Sequence, residues 1–248
     1  MRPIRTLIIA AALAVSCFGS AWAQEMTASE LLAQVDRGLN PESFESYRKL
    51  INIELDGTKK EFVLYTVKKG RDKVVALFMD PPSERGRATL RVGDNMWLYI
   101  PEVGKPLRIT SLQSVTGGIF NNSDILSVDY AVEYDATDMT DQGDTYLLDL
   151  KAKTDMIAYD RLKMTVAKDT LTPVDIEAFG ASGLLIKSLH FKELKDYGDG
   201  IRRPAVVETD SPLYKGYLSV MIFAKMAPRD LSDEVFTLNY LPKVEELR

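Results

Sequence analysis

Few residues in this 248-residue chain have the types that chemistry needs, and their spacing supports little of it. His190 is the single histidine, set in Leu189-His190-Phe191 within a strand-like stretch. A histidine-activated serine would sit on a Gly-x-Ser-x-Gly turn, and the chain has none. His190 therefore reads as a histidine at the surface or at the edge of the core. The acidic groups Asp135-Ala136-Thr137-Asp138 and Asp141-Gln142-Gly143-Asp144 lack the loop length and terminal Glu of a calcium loop, and read as solvated turns. Gly117-Gly118 has no following Lys-Ser/Thr and cannot cradle a phosphate in the P-loop manner. One Cys, Cys17, makes neither a disulfide nor a cysteine-rich zinc site. The expectation is a protein with no catalytic residues, no metal and no cofactor.

Composition points the same way. With 46% hydrophobic and 27% charged residues the chain can build a core, and a formal charge of -5 argues against nucleic acid as a partner. Met1 to Arg5 is cationic, Thr6 to Gly19 is apolar, and Ala21-Trp22-Ala23 precedes Gln24. Those are the three parts of a secretory signal peptide cleaved after Ala23. A weaker competitor is lipidation at Cys17, since Leu13-Ala14-Val15-Ser16-Cys17 is a poor lipobox. Residues 1–23 are read as the signal peptide and residues 24–248 as a single exported domain.

The mature chain must supply elements that position whatever it binds. Thr27-Ala28-Ser29-Glu30 is a capping box ahead of Leu31, Leu32, Val35 and Leu39, which share one helical face. The period then changes to two. Strands are expected at Tyr47–Leu55, Phe62–Val67, Lys73–Met79, Ala88–Val92, Met96–Ile100 and Leu107–Thr110, and again from Ala131–Asp135 to Tyr217–Lys225, with turns such as Asp56-Gly57 between them. This is a meander of antiparallel hairpins. Several strands are apolar on both faces: Phe62 and Leu64 against Val63 and Tyr65, and Val75 and Leu77 against Val74 and Phe78. Either both faces are covered, or one apolar face is kept for a ligand. Between Ser111 and Tyr130 the pattern breaks, and Ser123 or Asp124 could cap a short helix carrying Ile125 and Leu126. Such a segment, flanked by Gly117-Gly118, suits a movable lid, but on sequence alone a plain crossover is the better reading.

The stretch from Phe78-Met79-Asp80-Pro81-Pro82-Ser83-Glu84-Arg85-Gly86 through Met96-Trp97-Leu98-Tyr99-Ile100-Pro101 resembles the outer membrane lipoprotein-sorting protein family, relatives of the Lol-type carriers. Arg108-Ile109-Thr110-Ser111, Asn122-Ser123-Asp124-Ile125 and the closing Asp233 to Pro242 fit the same pattern. The resemblance implies a mainly β, α+β fold: one unclosed antiparallel β-barrel of roughly eleven strands, with short helices covering a concave apolar face. It implies carriage of lipoprotein acyl chains or other lipid in the periplasm, without catalysis, by a monomer working with an inner-membrane transporter. Phe62, Leu64, Phe78, Trp97, Tyr99, Ile119 and Phe120 are the candidate cavity residues, Arg85 and Arg108 the candidates for a head group at the mouth, and Ile125 and Leu126 the lid candidates. Pro106-Leu107 and Asn121-Asn122 depart from the commoner pattern and leave the cargo open. A periplasmic sensor or accessory module of a transporter is the alternative reading, and a hydrolase on the same scaffold a third.

Overall fold

The computed structural model describes residues 26–114 and 116–248. The expected signal peptide, its cleavage site and Cys17 lie outside the described residues. Helix α1 (Ala28–Leu39) starts at Thr27, whose side chain accepts from the Glu30 amide while the Glu30 carboxylate accepts from the Thr27 amide. Leu31, Leu32, Val35 and Leu39 are buried on its inner face, as their spacing requires.

Thirteen strands follow, not roughly eleven, in one antiparallel sheet. The first six are β1 (Ser43–Ile53), β2 (Lys59–Lys69), β3 (Lys73–Asp80), β4 (Ala88–Val92), β5 (Asn95–Tyr99) and β6 (Leu107–Ile109). The second run is β7 (Tyr134–Asp141), β8 (Thr145–Ala152), β9 (Arg161–Ala167), β10 (Pro173–Phe179), β11 (Leu185–Asp196), β12 (Arg202–Asp210) and β13 (Leu218–Pro228). The spatial order runs from β6 down to β1, crosses to β13, and descends to β7. The two meanders thus join where β1 pairs with β13, with Leu50 opposite Met221. β6 and β7 are the free edges, and the sheet does not close.

That topology puts the β6–β7 connection across the gap between the edges. It carries α2 (Asn122–Ile125) and α3 (Tyr130–Glu133). The cap of α2 is Asn121, in a box with Asp124, rather than Ser123 or Asp124 as expected. Residues 131–133, expected in a strand, are helical. The Asp36 carboxylate of α1 accepts from the Tyr130 and Ala131 amides at 2.7 and 2.9 Å, a tertiary contact that fixes the turn.

Side chains alternate across the strands, so β2 and β3 each feed two cores. The inner core joins Leu50, Phe62, Leu64, Val74, Phe78 and the far-side Leu148, Met164 and Ile176 to α1 and to Ile125, Leu126 and Val128. The outer core of β2 to β4 holds Tyr65, Val67, Val75, Leu77 and Leu90 beneath Leu231, Phe236, Leu241 and Val244 of the C-terminal tail. The two-sided strands are therefore covered on both faces. The tail is built from two 3-10 turns, Asp233–Phe236 and Leu241–Leu247. Among the described residues, no helix is long and apolar enough to cross a membrane.

Candidate functional site

The inner face is closed by α1, α2 and α3, and the cover is fastened to the sheet by charged side chains rising from the strands. Lys187 of β11 donates to Asp124 Oδ2 at 2.6 Å and to the Ile119 carbonyl at 2.7 Å. Arg91 of β4 donates to Glu133 Oε1 at 2.5 Å and to the Leu126 carbonyl at 3.4 Å. Lys68 of β2 pairs with Asp129. Arg48 of β1 donates to the Ile125 carbonyl at 2.9 Å, and Arg203 of β12 to the Leu39 carbonyl at 2.7 Å. Five strands thus each send one cation inward, and every one grips α1 or the β6–β7 connection.

Burial sets the electrostatics of these groups. Desolvation pushes the Asp36 carboxyl up to about 6, because the two backbone donors only partly offset the loss of water. It also raises Glu133 despite Arg91, and lowers Lys68 despite Asp129. Buried ion pairs add little net stability over apolar contacts, yet breaking one strands a charge. They fix one geometry of the cover sharply.

Glycine permits the approach of the connection. A Cβ on Gly118 would stand 1.9 Å from Asn52 Oδ1. Asn52 donates to the Thr116 carbonyl at 3.1 Å and accepts from Ser219 Oγ at 2.8 Å, and Ser219 Oγ also accepts from the Ile119 amide. The glycine pair therefore lets this strand-borne amide seat the backbone ahead of α2.

Between cover and sheet lies a cavity of about 80 Å³. Its walls include Phe120 and Val128 from the cover side and Tyr134, Tyr159, Leu162, Ile176, Leu189 and Phe191 from the second meander. Asn121 Nδ2 donates to the Tyr159 hydroxyl at 2.7 Å, holding that ring at the cavity wall.

The expected residues divide. Phe62, Leu64 and Phe78 are in the inner core with Phe120, the Phe62 and Phe78 rings meeting edge to face at 6.2 Å. Ile119 is buried beside Phe120. Of these, Phe120 alone lines the cavity. Ile125 and Leu126 are buried in the cover, over the sheet. Trp97 and Tyr99 point to the other face and pack against the outer core, because they alternate with the inward-facing Met96. Arg85 is exposed and donates to the Met79 carbonyl at 3.1 Å, and Arg108 contacts Asn95 on the edge strand β6, so neither reaches the cavity mouth. His190 is held between Asp175 Oδ1 at 2.6 Å and Asp210 Oδ2 at 3.3 Å, outside the cavity. Among the described residues, no group of three or more His, Cys, Asp or Glu could hold a metal ion.

The inward cations Arg48, Lys68, Arg91, Lys187 and Arg203 were not foreseen. Their only trace in the sequence is parity: Arg48 shares its side of β1 with Phe44 and Leu50, and Lys187 shares its side of β11 with Leu189.

A family described as an uncharacterized protein matches residues 70–243. No curated protein matches the chain. Among solved structures, a LolA superfamily protein from Nitrosomonas europaea is 26% identical with a TM-score of 0.78, over 86% of this chain and 99% of that one. A DUF1329 family protein from Desulfovibrio piger is 23% identical at TM-score 0.75, over 86% and 97%. An outer membrane lipoprotein-sorting protein domain from Vibrio parahaemolyticus is 18% identical at TM-score 0.73, over 87% and 100%, and these last two attest the fold alone. With its unclosed sheet, helical cover and apolar interior, the chain has the fold of the LolA superfamily protein from Nitrosomonas europaea, and it belongs to the family matched over residues 70–243.

Proposed function

We propose that the protein is a periplasmic carrier that shelters the acyl chains of a lipid or lipoprotein between its sheet and its cover, without catalysis. The observation that carries this reading is the apolar cavity beneath a cover held by discrete polar links. About 80 Å³ admits several waters or the end of one chain, so a whole chain enters when α2 and α3 lift off the sheet. Each methylene buried contributes about 0.8 kcal/mol. A chain of about ten methylenes then supplies about 8 kcal/mol, on the scale of breaking two buried links. Phe62, Leu64 and Phe78 extend the apolar floor once the cover has moved.

In this reading a monomer accepts cargo from an inner-membrane transporter and passes it toward the outer membrane. A second reading, an accessory interaction module of such a transporter, draws on exposed Leu55, Leu213, Tyr214 and Tyr217. Native mass spectrometry and lipid extraction of protein purified without detergent separate the two. A co-purifying acyl lipid supports the carrier. Persistent absence of bound lipid, with no uptake of added fatty acid, supports the module.

A further inference from the structure

Among the described residues, two of the inward cations have no counter-charge. Arg48 and Arg203 are 4% and 6% exposed, and their guanidinium carbons lie 5.6 and 3.9 Å from the centroid of the same Phe223 ring. The other buried cations of this face, Lys68, Arg91 and Lys187, each pair with a carboxylate. Arg48 reaches only neutral acceptors: Thr66 Oγ1 at 2.6 and 3.1 Å, the Ile125 carbonyl at 2.9 Å and Met221 Sδ at 3.6 Å. Arg203 donates to the Leu39 carbonyl at 2.7 Å and the Pro204 carbonyl at 3.5 Å, and its Nη2 makes no hydrogen bond among the described residues. Burial and the neighbouring Arg203 push Arg48 down to about 9, while burial pushes Arg203 down to about 10. Both stay charged at neutral pH. Two like charges buried together without an anion are costly to fold around.

The surroundings say what would repay that cost. A niche of about 10 Å³ is lined by Ser46, Arg48, Thr66, Lys68 and Arg203, and it shares Asn40, Ser127, Arg203 and Phe223 with the apolar cavity. Ser46 Oγ is buried there with no hydrogen-bond partner among the described residues. A hydroxyl and two guanidinium groups thus face a space that opens onto an apolar channel. Guanidinium forks suit a planar carboxylate or a phosphate, and the niche, about one water in volume, takes even a compact head only as the cover lifts to admit the chain.

We propose that the preferred cargo is an acyl lipid with a compact anionic head, a carboxylate or a phosphate monoester, seated between Arg48 and Arg203 with its chain in the apolar cavity. This rests on the carrier reading and narrows it, since acyl chains attached to a lipoprotein bring no such head.

The test is displacement of N-phenyl-1-naphthylamine, a neutral apolar probe, from the mature protein by palmitate, hexadecyl phosphate and hexadecanol. The two anions are expected to compete at least about tenfold better than the alcohol. Arg203→Met should bring the ratio of anion to hexadecanol competition down to about one, read within the same variant, while Arg203→Lys, which keeps the charge, should retain part of the advantage. The better of the two anions identifies the head. Equal competition by all three lipids, or an advantage that survives Arg203→Met, overturns the proposal and leaves the carrier reading standing. Failure of the protein to bind the probe or any of the three lipids ends the carrier reading and this proposal with it.

Discussion

Lys187 Nζ on β11 lies 2.6 Å from Asp124 Oδ2 in α2, with the two side chains 3% and 9% exposed. The same ammonium donates to the Ile119 carbonyl, so one lysine holds both the entry to α2 and the helix itself. Asp124 in turn accepts from the Asn121 amide and closes the capping box. Cap, ion pair and cover are one unit, anchored on the second meander.

Lys187→Met should therefore loosen the cover in preference to the sheet. Removing one partner of a buried pair strands the other and costs about 3 kcal/mol. Thermal unfolding should shift down, and amide exchange should accelerate at residues 119–126 more than in α1. Uniform loss of protection across the molecule would contradict the assignment of Lys187 to the cover.

Asp36 ties α1 to α3, and its burial makes that tie depend on pH. Its carboxyl is raised from an ordinary value of 3.8 to about 6. Between those values the folded state holds a proton that the unfolded chain has released, so stability falls as pH rises through the window. The shift corresponds to about 3 kcal/mol, fully lost above pH 6. Asp36→Asn keeps an oxygen for the Tyr130 and Ala131 amides and removes the titration. Urea unfolding at pH 4 and pH 7 should show the wild type losing up to about 3 kcal/mol more than the variant. Parallel pH profiles would refute the coupling.

Trp97 lies on the outer face against the C-terminal tail, away from the cavity. In protein cleaved after Ala23 it is the one tryptophan, and bound brominated palmitate should leave its fluorescence unquenched. Trp97→Phe should change palmitate uptake by less than about twofold. Strong quenching would place cargo on the wrong side of the sheet.

Legibility followed locality. The α1 capping box, the hairpin turns and the two-sided apolar strands are encoded within a few residues, and the structure has them all. The C-terminal cover of the outer core was not legible. Leu231, Phe236, Leu241 and Val244 form no periodic element, and the last three fold in 3-10 turns, on strands well over a hundred residues away. Without that cover, Trp97 and Tyr99 read as aromatic residues on a sheet face and so as cavity candidates, although they alternate with Met96, which does face inward. The inward arginines were hidden for the opposite reason. On β1, Arg48 and Asn52 share a side with Phe44 and Leu50, but the opposite side carries the apolar Tyr47, Ile51 and Ile53, so alternation by itself does not send the set holding Arg48 to the core. The structure buries it, because the partners that satisfy Arg48 and Asn52 come from residues 116 and 125, far along the chain.

The account stands on cargo lying between the cover and the second meander. The direct measurement is photo-crosslinking of the mature protein with a diazirine-bearing palmitate, followed by mapping of the labelled peptides. Label should fall on Phe120, Val128 and the cavity positions of β9 to β11, namely Leu162, Ile176 and Leu189. Label confined to the outer face around Trp97 and Tyr240, or to the exposed Leu213–Tyr217 hairpin, would contradict it.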